Sequence, residues 1–321
     1  MTEKKIIAVV GATGSQGGGL VQAILTDPDH EFAVRALTRN AQSGKARELA
    51  AAGAEVVEAD LDDEASLVRA FDGVHGAFVV TNYWADRTPE EEARRTRAEM
   101  ELQQVEAAVW AAKAAAVAHV IWSTLEDTRS HFGDDERVPT VDELYKVPHF
   151  DAKGEADELF TKYGVPTTFL RTAFFFEGFA GGLAPVRDAS GKLVLTLPIA
   201  DQPMSGIAVE DIGKTALGIF KRGQALVCKT VSIAGDHLTG EEYAAALSDA
   251  LGEPVVYQPN SWDDFRALPF PSAVEMANMF QYYAEDSKRF TGERDLATVR
   301  TLNPQLQSFR DWLARHKNEI S

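Results

Sequence analysis

The 321-residue chain contains one cysteine, Cys228, which excludes an internal disulfide and any metal site built from several cysteines. Its apolar neighbours, Leu226 and Val227, favour a buried core thiol over a nucleophile. No uninterrupted apolar run approaches the ~18 residues of a membrane span, and the first residues lead into a strand without the apolar core of a signal peptide. We therefore expect a cytoplasmic protein with no membrane partner, whose redox chemistry, if any, comes from a cofactor.

Positive charge is also scarce. The chain has 32 Lys and Arg residues against 49 Asp and Glu residues, which gives a formal net charge of -17. Nucleic acids are bound by basic faces, and only short basic clusters occur here, so we expect no direct nucleic-acid partner. The length of the chain suggests about two domains.

The most informative stretch is an apolar run followed by glycines. Residues 6–10 are all apolar, and a run this short that ends at glycine predicts a buried strand of a parallel sheet. Gly11, Gly14 and Gly17 follow at three-residue spacing, where a backbone without Cβ can turn tightly and bring a helix N-terminus to a pyrophosphate. A second predicted strand, residues 32–37, follows within the ~30 residues of a βαβ unit. The stretch therefore predicts a dinucleotide site.

The residues after the second strand indicate which dinucleotide binds. In NAD sites an Asp or Glu at this point accepts hydrogen bonds from the ribose hydroxyls, whereas a guanidinium suits the 2′-phosphate of NADP. This chain has Arg39 and then Asn40, with Lys45 and Arg47 close behind. We therefore predict NADP(H), although Lys45 and Arg47 are explained equally well as solvated charges of a surface helix.

Further strands are predicted at residues 55–58, 76–80 and 119–122, and parallel strands end at one edge of their sheet. Asp60, after the first of these, can reach the adenine or cap the next helix. The polar and aromatic residues 81–84, after the second, should lie along the cofactor.

Two helices and a connection follow in the sequence. A long helix is predicted from Pro89 to Val117, with its charges on solvated faces. The acidic segment from Glu126 to Val147 is interpreted as a mobile connection or lid. The next helix begins near His149 and carries Lys153 one turn later on the same face.

These elements predict an α/β fold: a Rossmann doubly wound parallel sheet with a smaller α+β C-terminal domain. The first domain is expected to cover residues 1–175, and the second to cover residues 176–321. Segments near residues 205–235 can return to the first domain. Glu177, inside an aromatic run, suggests a pocket wall near a nicotinamide.

Seven separated blocks form a recognisable combination, and they are residues 9–18, 38–40, 80–84, 149–155, 175–177, 203–206 and 277–280. In this combination the chain resembles the NmrA-like family of the atypical short-chain dehydrogenase/reductase superfamily, and within it the HSCARG-type NADPH sensors. The resemblance implies that a Rossmann domain binds NADP and that a smaller C-terminal domain faces it across a cleft.

The resemblance also implies a set of cofactor contacts. It implies that residues 11–16 hold the pyrophosphate, that residues 39–40 take the 2′-phosphate, and that residues 60–61 flank the adenine. Residues 81–83 then line the ribose and nicotinamide, Arg94 is a further basic contact, and Lys153 with residues 175–178 closes over the nicotinamide. The implied residues are Gly11, Ala12, Thr13, Gly14, Ser15, Gln16, Arg39, Asn40, Asp60, Leu61, Thr81, Asn82, Tyr83, Arg94, Lys153, Phe175, Phe176, Glu177 and Gly178.

The catalytic residues of the superfamily are only partly present. In its active members a Tyr four residues before a Lys donates the proton, and a Ser orients the carbonyl. This chain has no Tyr-x-x-x-Lys; it has His149 and Lys153 at those positions and Ser123 where the Ser falls. An imidazole can also donate a proton, since its unperturbed pKa is about 6.5.

Two functions therefore remain open. The first is an NADP(H)-binding redox sensor or regulator whose conformation depends on the cofactor and which acts through a protein partner. The second is an NADPH-dependent oxidoreductase that reduces a quinone, ketone or enone with help from His149 or Lys153. Homodimer formation is compatible with both.

Overall fold

The computed structural model describes residues 4–320, and within them the chain folds into two compact units. The domain boundary expected at residue 175, with a return near residues 205–235, stays a prediction. The first unit consists of the described residues up to Asp127, His149–Arg171 and Ile212–Val231, and the second consists of Thr128–Pro148, Thr172–Asp211 and the described residues from Ser232.

The strands of the described residues are short, as expected for strands joined by helices. In chain order they are β1 (Lys5–Val9), β2 (Phe32–Thr38), β3 (Glu55–Glu58), β4 (Gly76–Val79), β5 (His119–Thr124), β6 (Thr167–Arg171), β7 (Phe174–Phe175), β8 (Val186–Arg187), β9 (Leu193–Leu195), β10 (Met204–Ile207), β11 (Thr230–Ser232), β12 (Asp236–Leu238) and β13 (Val255–Tyr257).

Helices separate most of these strands and dominate the last third of the chain. They are α1 (Ser15–Thr26), α2 (Gly44–Ala51), α3 (Glu64–Phe71), α4 (Pro89–Arg94), α5 (Arg97–Ala114), α6 (Arg129–Phe132), α7 (Pro148–Tyr163), α8 (Val209–Arg222), α9 (Gly240–Leu251), α10 (Trp262–Arg266), α11 (Ala273–Glu285), α12 (Ser287–Gly292), α13 (Leu296–Leu302) and α14 (Phe309–His316). No helix within residues 4–320 has the length and apolarity that crossing a membrane requires.

A seven-stranded sheet has the order β11-β6-β5-β4-β1-β2-β3. The pairs that join β1 through β6 are all parallel. The strand order reverses between β1 and β4, which is the switch point of a doubly wound Rossmann sheet. This confirms the predicted fold class. In the second unit, two three-stranded sheets, β12-β10-β7 and β13-β9-β8, accompany the later helices.

The burial of the central strands explains why their sequences are continuous apolar runs. Ile7, Ala8 and Val9 of β1 are fully buried, and every residue of β4 and β5 is buried. A strand covered by helices on both faces has no solvent side, so its sequence does not alternate between apolar and polar residues.

The long helix predicted from Pro89 to Val117 is two helices, α4 and α5, separated at Arg95. Arg95 has an extended backbone, and Thr96 begins a new helix by accepting a hydrogen bond from the N–H of Glu99. The Glu99 side chain in turn accepts one from the Thr96 N–H. This capping box starts a second helix where the apolar pattern alone continues the first.

Cys228 is exposed, so the expectation of a buried thiol is wrong. The residue lies in the turn before β11 with a φ of 58°, and its N–H donates to the Thr167 carbonyl oxygen over 2.8 Å. The left-handed backbone of the turn directs the Cys228 side chain outward, so the apolar residues beside it in the sequence do not indicate burial.

The acidic segment expected to be a mobile connection is packed inside the second unit. The Lys146 ammonium donates to the Val138 carbonyl oxygen over 2.7 Å, and the side chains of Val138 and Val147 are buried. The Asn278 amide, on α11, donates to the carbonyl oxygens of Pro139 and Lys146 over 2.9 Å and 2.7 Å. These bonds hold the second half of the segment against α11.

The contact between α1 and α8 supplies a test of packing in the first unit. A Cβ built on Gly213 would lie 2.2 Å from the backbone of Gly19 and Leu20. We predict that Gly213→Ala lowers the free energy of unfolding by about 1–3 kcal/mol, since backbone cannot move aside cheaply. The exposed Gly44 has nothing within 4 Å of such a Cβ, so Gly44→Ala is the control. In denaturant titration, the free energy of unfolding of Gly44→Ala should equal or slightly exceed that of the parent protein. Equal free energies of unfolding for Gly213→Ala and Gly44→Ala would contradict the prediction.

Candidate functional site

A cavity of about 390 Å³ opens at the carboxyl ends of β1 to β4, all within the first unit. The sheet edge at a topological switch point is where doubly wound folds bind ligands. Eight of the cofactor residues predicted from the sequence lie on its wall: Gly11, Thr13, Gly14, Arg39, Asn40, Asp60, Leu61 and Asn82. The structure therefore brings together residues from four separate loops, and their contacts with a cofactor stay predictions.

The glycine loop can take its shape only without side chains at two positions. Gly11 has a φ of 65°, in the region that favours glycine. A Cβ on Gly17 would lie 2.4 Å from the Gly11 carbonyl oxygen, so this glycine lets α1 approach the end of β1. Gly14 precedes α1, and no side chain caps this helix end. The free backbone N–H groups and the helix dipole favour an anion here.

The rim of the cavity beside β2 carries the basic residues. Arg39 is exposed there, and the Lys45 ammonium donates to the Thr13 carbonyl oxygen over 3.3 Å. Asn40 accepts a hydrogen bond from the Gln42 N–H over 2.9 Å, which fixes the turn into α2. Lys45 therefore lies against the glycine loop rather than on a distant helix face.

Asp60 also lies on the cavity wall, after β3. Its carboxylate accepts a hydrogen bond from the Asp62 N–H over 3.0 Å, and α3 is capped by Asp63 instead. The alternative assignment of Asp60 as the helix cap is therefore wrong. Its place on the cavity wall is compatible with the predicted contact to an adenine.

A buried group of three polar side chains lies beside the β4 wall of the cavity. The Lys153 ammonium donates to the Thr81 hydroxyl oxygen and to Glu101 Oε1, each over 2.6 Å. Thr81 also donates to Glu101 Oε1. Lys153 is 9% exposed and Glu101 is 0% exposed, so this ion pair is shielded from water. We call these residues the Lys153 triad.

Glu101 was missed by the sequence analysis, which placed the charges of its helix on solvated faces. Its position gave a usable signal. Glu101 follows the buried Ala98 by three residues and precedes the buried Val105 by four, so all three share the inward face of α5. A carboxylate on an apolar helix face is rarely buried unless it is paired, and here its partner comes from α7.

The other two predicted catalytic residues also lie at this edge of the sheet. The Ser123 hydroxyl, at the end of β5, donates to Gln16 Oε1 over 2.7 Å and thereby contacts the glycine loop. The His149 ring lies 5.9 Å from the Tyr83 ring and 5.1 Å from the Trp84 ring. Trp84 is 46% exposed, so one end of this aromatic group is open to a ligand.

The other predicted cofactor residues are not among those that line this cavity. Arg94 is exposed at the end of α4. The stretch from Phe175 to Gly178 belongs to the second unit, where the Phe176 ring packs 5.1 Å from that of Phe309. Glu177 Oε1 accepts a hydrogen bond from the Val209 N–H over 3.1 Å at the start of α8. Burial raises the pKa of the Glu177 carboxyl. The predicted contacts of these residues with a nicotinamide stay predictions.

One further acid lies next to the Lys153 triad. Asp157 follows Lys153 by one turn of α7 and accepts hydrogen bonds from Trp122 Nε1 over 2.9 Å and from the Thr124 hydroxyl over 2.7 Å. Burial raises its pKa to about 7, although these two bonds favour the charged form.

Comparison with known proteins gives a family and several relatives. A profile of the NmrA-like family matches residues 3–306. An NmrA-like family domain-containing oxidoreductase of Malbranchea aurantiaca is 28% identical over 332 aligned positions, which cover 97% of this chain and 96% of the relative.

Two solved proteins illustrate the structural likeness. NmrA, a negative transcriptional regulator solved in complex with NADP, superposes with a TM-score of 0.75 at 22% identity, covering 98% of this chain and 95% of the other. NmrA has also been solved in complex with NAD. The triphenylmethane reductase of Citrobacter sp., complexed with NADP(H), gives a TM-score of 0.72 at 23% identity, covering 96% and 99%. These likenesses support the fold.

The raised pKa of Asp157 predicts a pH dependence of stability. An acid whose folded pKa exceeds its unfolded value of 3.8 destabilises the folded state progressively as pH rises from about 4 to about 7. Asp157→Asn cannot ionise and retains an oxygen for Trp122 and Thr124. We predict that its stability relative to the parent protein is higher at pH 8 than at pH 5. Urea unfolding at both pH values measures this, and a pH-independent difference would contradict the assignment.

Proposed function

Because the chain belongs to the NmrA-like family, we propose that it is an NADP(H)-dependent oxidoreductase that reduces a carbonyl or quinone substrate, with Lys153 as the proton donor. The observation that carries this proposal is the Lys153 triad. It holds a shielded ammonium at the carboxyl edge of the sheet, beside a cavity suited to a dinucleotide. A buried Lys–Glu pair at the ligand-binding edge of a doubly wound sheet suggests chemistry.

The cavity supports NADP(H) as the cofactor. A pyrophosphate suits this place for two reasons: the turn at Gly11 and Gly17 has no side chains, and the N-terminal end of α1 is uncapped. Arg39 on the rim suits a 2′-phosphate, because a guanidinium can donate two hydrogen bonds to it. Lys45 adds a second positive charge next to the loop.

When bound, NADPH supplies the hydride, which carries two electrons to the substrate carbon. The reduced carbonyl oxygen then needs one proton. Lys153 donates that proton from its ammonium and regains one from water, so that charge and protons balance. His149 lies one turn earlier on α7 and is the other candidate donor. The exposed ring of Trp84 beside it offers a stacking surface, which supports a planar unsaturated substrate.

A redox sensor is the second candidate function, and one observation favours it. No Tyr occupies the proton-donor position of the superfamily, and the Ser123 hydroxyl donates to Gln16. A protein of this kind would bind NADP(H) in the same cavity and transmit its redox state to a protein partner. The regulator NmrA is a structural neighbour, which is compatible with this alternative.

We predict that Arg39→Ala weakens NADP binding about tenfold or more and leaves NAD binding nearly unchanged, since it removes a charged hydrogen bond to the 2′-phosphate. Isothermal titration with both dinucleotides measures the two affinities. Arg47→Ala is the matched control, because Arg47 is exposed on α2 and is not on the cavity wall. If Arg39→Ala leaves the ratio of the two affinities unchanged, the role of Arg39 is refuted.

We further predict substrate-dependent loss of NADPH absorbance with a panel of quinones, ketones and enones. Lys153→Met should lower kcat by about 100-fold or more, since general acid catalysis contributes ~10²–10⁴-fold. His149→Ala distinguishes the two donors: turnover that survives Lys153→Met and disappears in His149→Ala would assign the proton to His149. Tight NADPH binding without turnover across the panel would reject the reductase and favour the sensor.

A further inference from the structure

We propose that Glu101 is a positioning residue that holds the Lys153 ammonium in place for proton transfer, an inference that rests on the proposed reductase function. The two residues are 52 positions apart in the chain and lie on α5 and α7. Glu101 lies outside the seven sequence blocks that carry the family resemblance. It is also not part of the Ser and Tyr-x-x-x-Lys pattern of the superfamily. Its part in the site follows from the geometry of the Lys153 triad.

The contacts of the triad leave the ammonium little freedom. A lysine ammonium has three donors. One donates to Thr81 and one to Glu101, each over 2.6 Å. The nitrogen also lies 5.1 Å from the centre of the Trp122 ring, within range of a cation–π interaction. Lysine is otherwise flexible, so these contacts select one orientation and leave one N–H for a reacting oxygen.

The energetics of the pair argue against a role in stability alone. Glu101 Oε2 is buried and has no hydrogen-bond partner among residues 4–320. A buried ion pair repays its desolvation only when its remaining donors and acceptors are satisfied, and apolar residues of similar volume often serve the fold equally well. The triad therefore holds charge inside the unit at a cost, and an oriented lysine is what this arrangement supplies.

Glu101 keeps this role through the proton transfer. After Lys153 has given its proton to the substrate oxygen, the neutral amine still has two N–H donors, for Thr81 and Glu101. Glu101 keeps its hydrogen bond to Lys153 and takes no part in the proton transfer itself. Water restores the third proton to the amine. Glu101 thus acts through Lys153 and does not touch the reacting atoms.

The first test compares Glu101→Gln with Glu106→Gln. Glutamine keeps the shape and one acceptor oxygen but loses the charge that orients the ammonium. Glu106 lies on the same helix and accepts a hydrogen bond from the Tyr163 hydroxyl, so its variant controls for a charge change on α5. We expect Glu101→Gln to lower kcat about 10- to 100-fold, as a misplaced catalytic group does. KM and the NADPH Kd should change by less than about threefold, and Glu106→Gln should match the parent protein.

The second test does not depend on turnover. Acylation by acetic anhydride, followed site by site by peptide mass spectrometry, measures how firmly each lysine is held. We expect Lys153 to react faster in Glu101→Gln than in the parent protein, while Lys113 and Lys162 of the same unit react at unchanged rates. If the parent protein reduces no substrate, the proposed function fails, but faster labelling of Lys153 would still support its positioning by Glu101.

A double variant separates positioning from folding. Glu101→Leu with Lys153→Met replaces the pair by apolar side chains, and we expect its Tm to equal or exceed that of the parent protein while turnover is lost. If Glu101→Gln does not fold, Glu101→Asp takes its place in both tests, with partial loss of kcat expected because the shorter side chain keeps the charge.

Two results would overturn the proposal. One is an unchanged kcat and an unchanged Lys153 labelling rate in Glu101→Gln, which would mean that Glu101 does not orient the lysine. The other is a fall in kcat that is fully explained by a smaller fraction of folded protein, together with a lower Tm of the double variant. That combination would make the triad a structural ion pair.

Discussion

The approach of α1 to the end of β1 is the constraint on which the cavity of the first unit depends. Gly17 meets the Gly11 carbonyl oxygen at a distance that no Cβ could tolerate, and Gly11 itself has a positive φ. Because of this contact, the helix end lies against the switch point between β1 and β4. The cavity and the uncapped helix end beside it both follow from that one turn.

The same edge of the sheet also arranges the polar groups of the site. Ser123 at the end of β5 contacts Gln16 of the glycine loop, and Thr81 after β4 contacts Lys153. A parallel sheet places the ends of neighbouring strands side by side, so that short loops suffice to bring the glycine loop close to the Lys153 triad. Rigid strand ends hold such groups more accurately than a long loop could.

The sequence predicted those features that local rules determine. The buried strands and the turn at the glycines depend on patterns within a few residues, and the structure confirms the fold class that they predict. Arg39 and Asp60 lie on the cavity wall, and their contacts with a cofactor stay predictions. Three features escaped prediction, two of them because their hydrogen-bond partners are far away in the chain. Glu101 is paired with a residue 52 positions away, Cys228 faces outward because of one turn, and the acidic segment is held by Asn278, more than a hundred residues later.

The difference between a reductase and a sensor in this fold is a difference in hydrogen bonding rather than in cofactor binding. Both need the glycine loop and a basic rim, so those motifs cannot distinguish them. A reductase needs a proton donor whose position is fixed and whose last N–H or O–H is left for substrate. Here Ser123 donates its only hydroxyl hydrogen to Gln16, whereas Lys153 keeps one of three donors after bonding to Thr81 and Glu101. A lysine can donate to a substrate and still keep its bonds to Thr81 and Glu101, and this count of donors is the physical reason for proposing chemistry at Lys153.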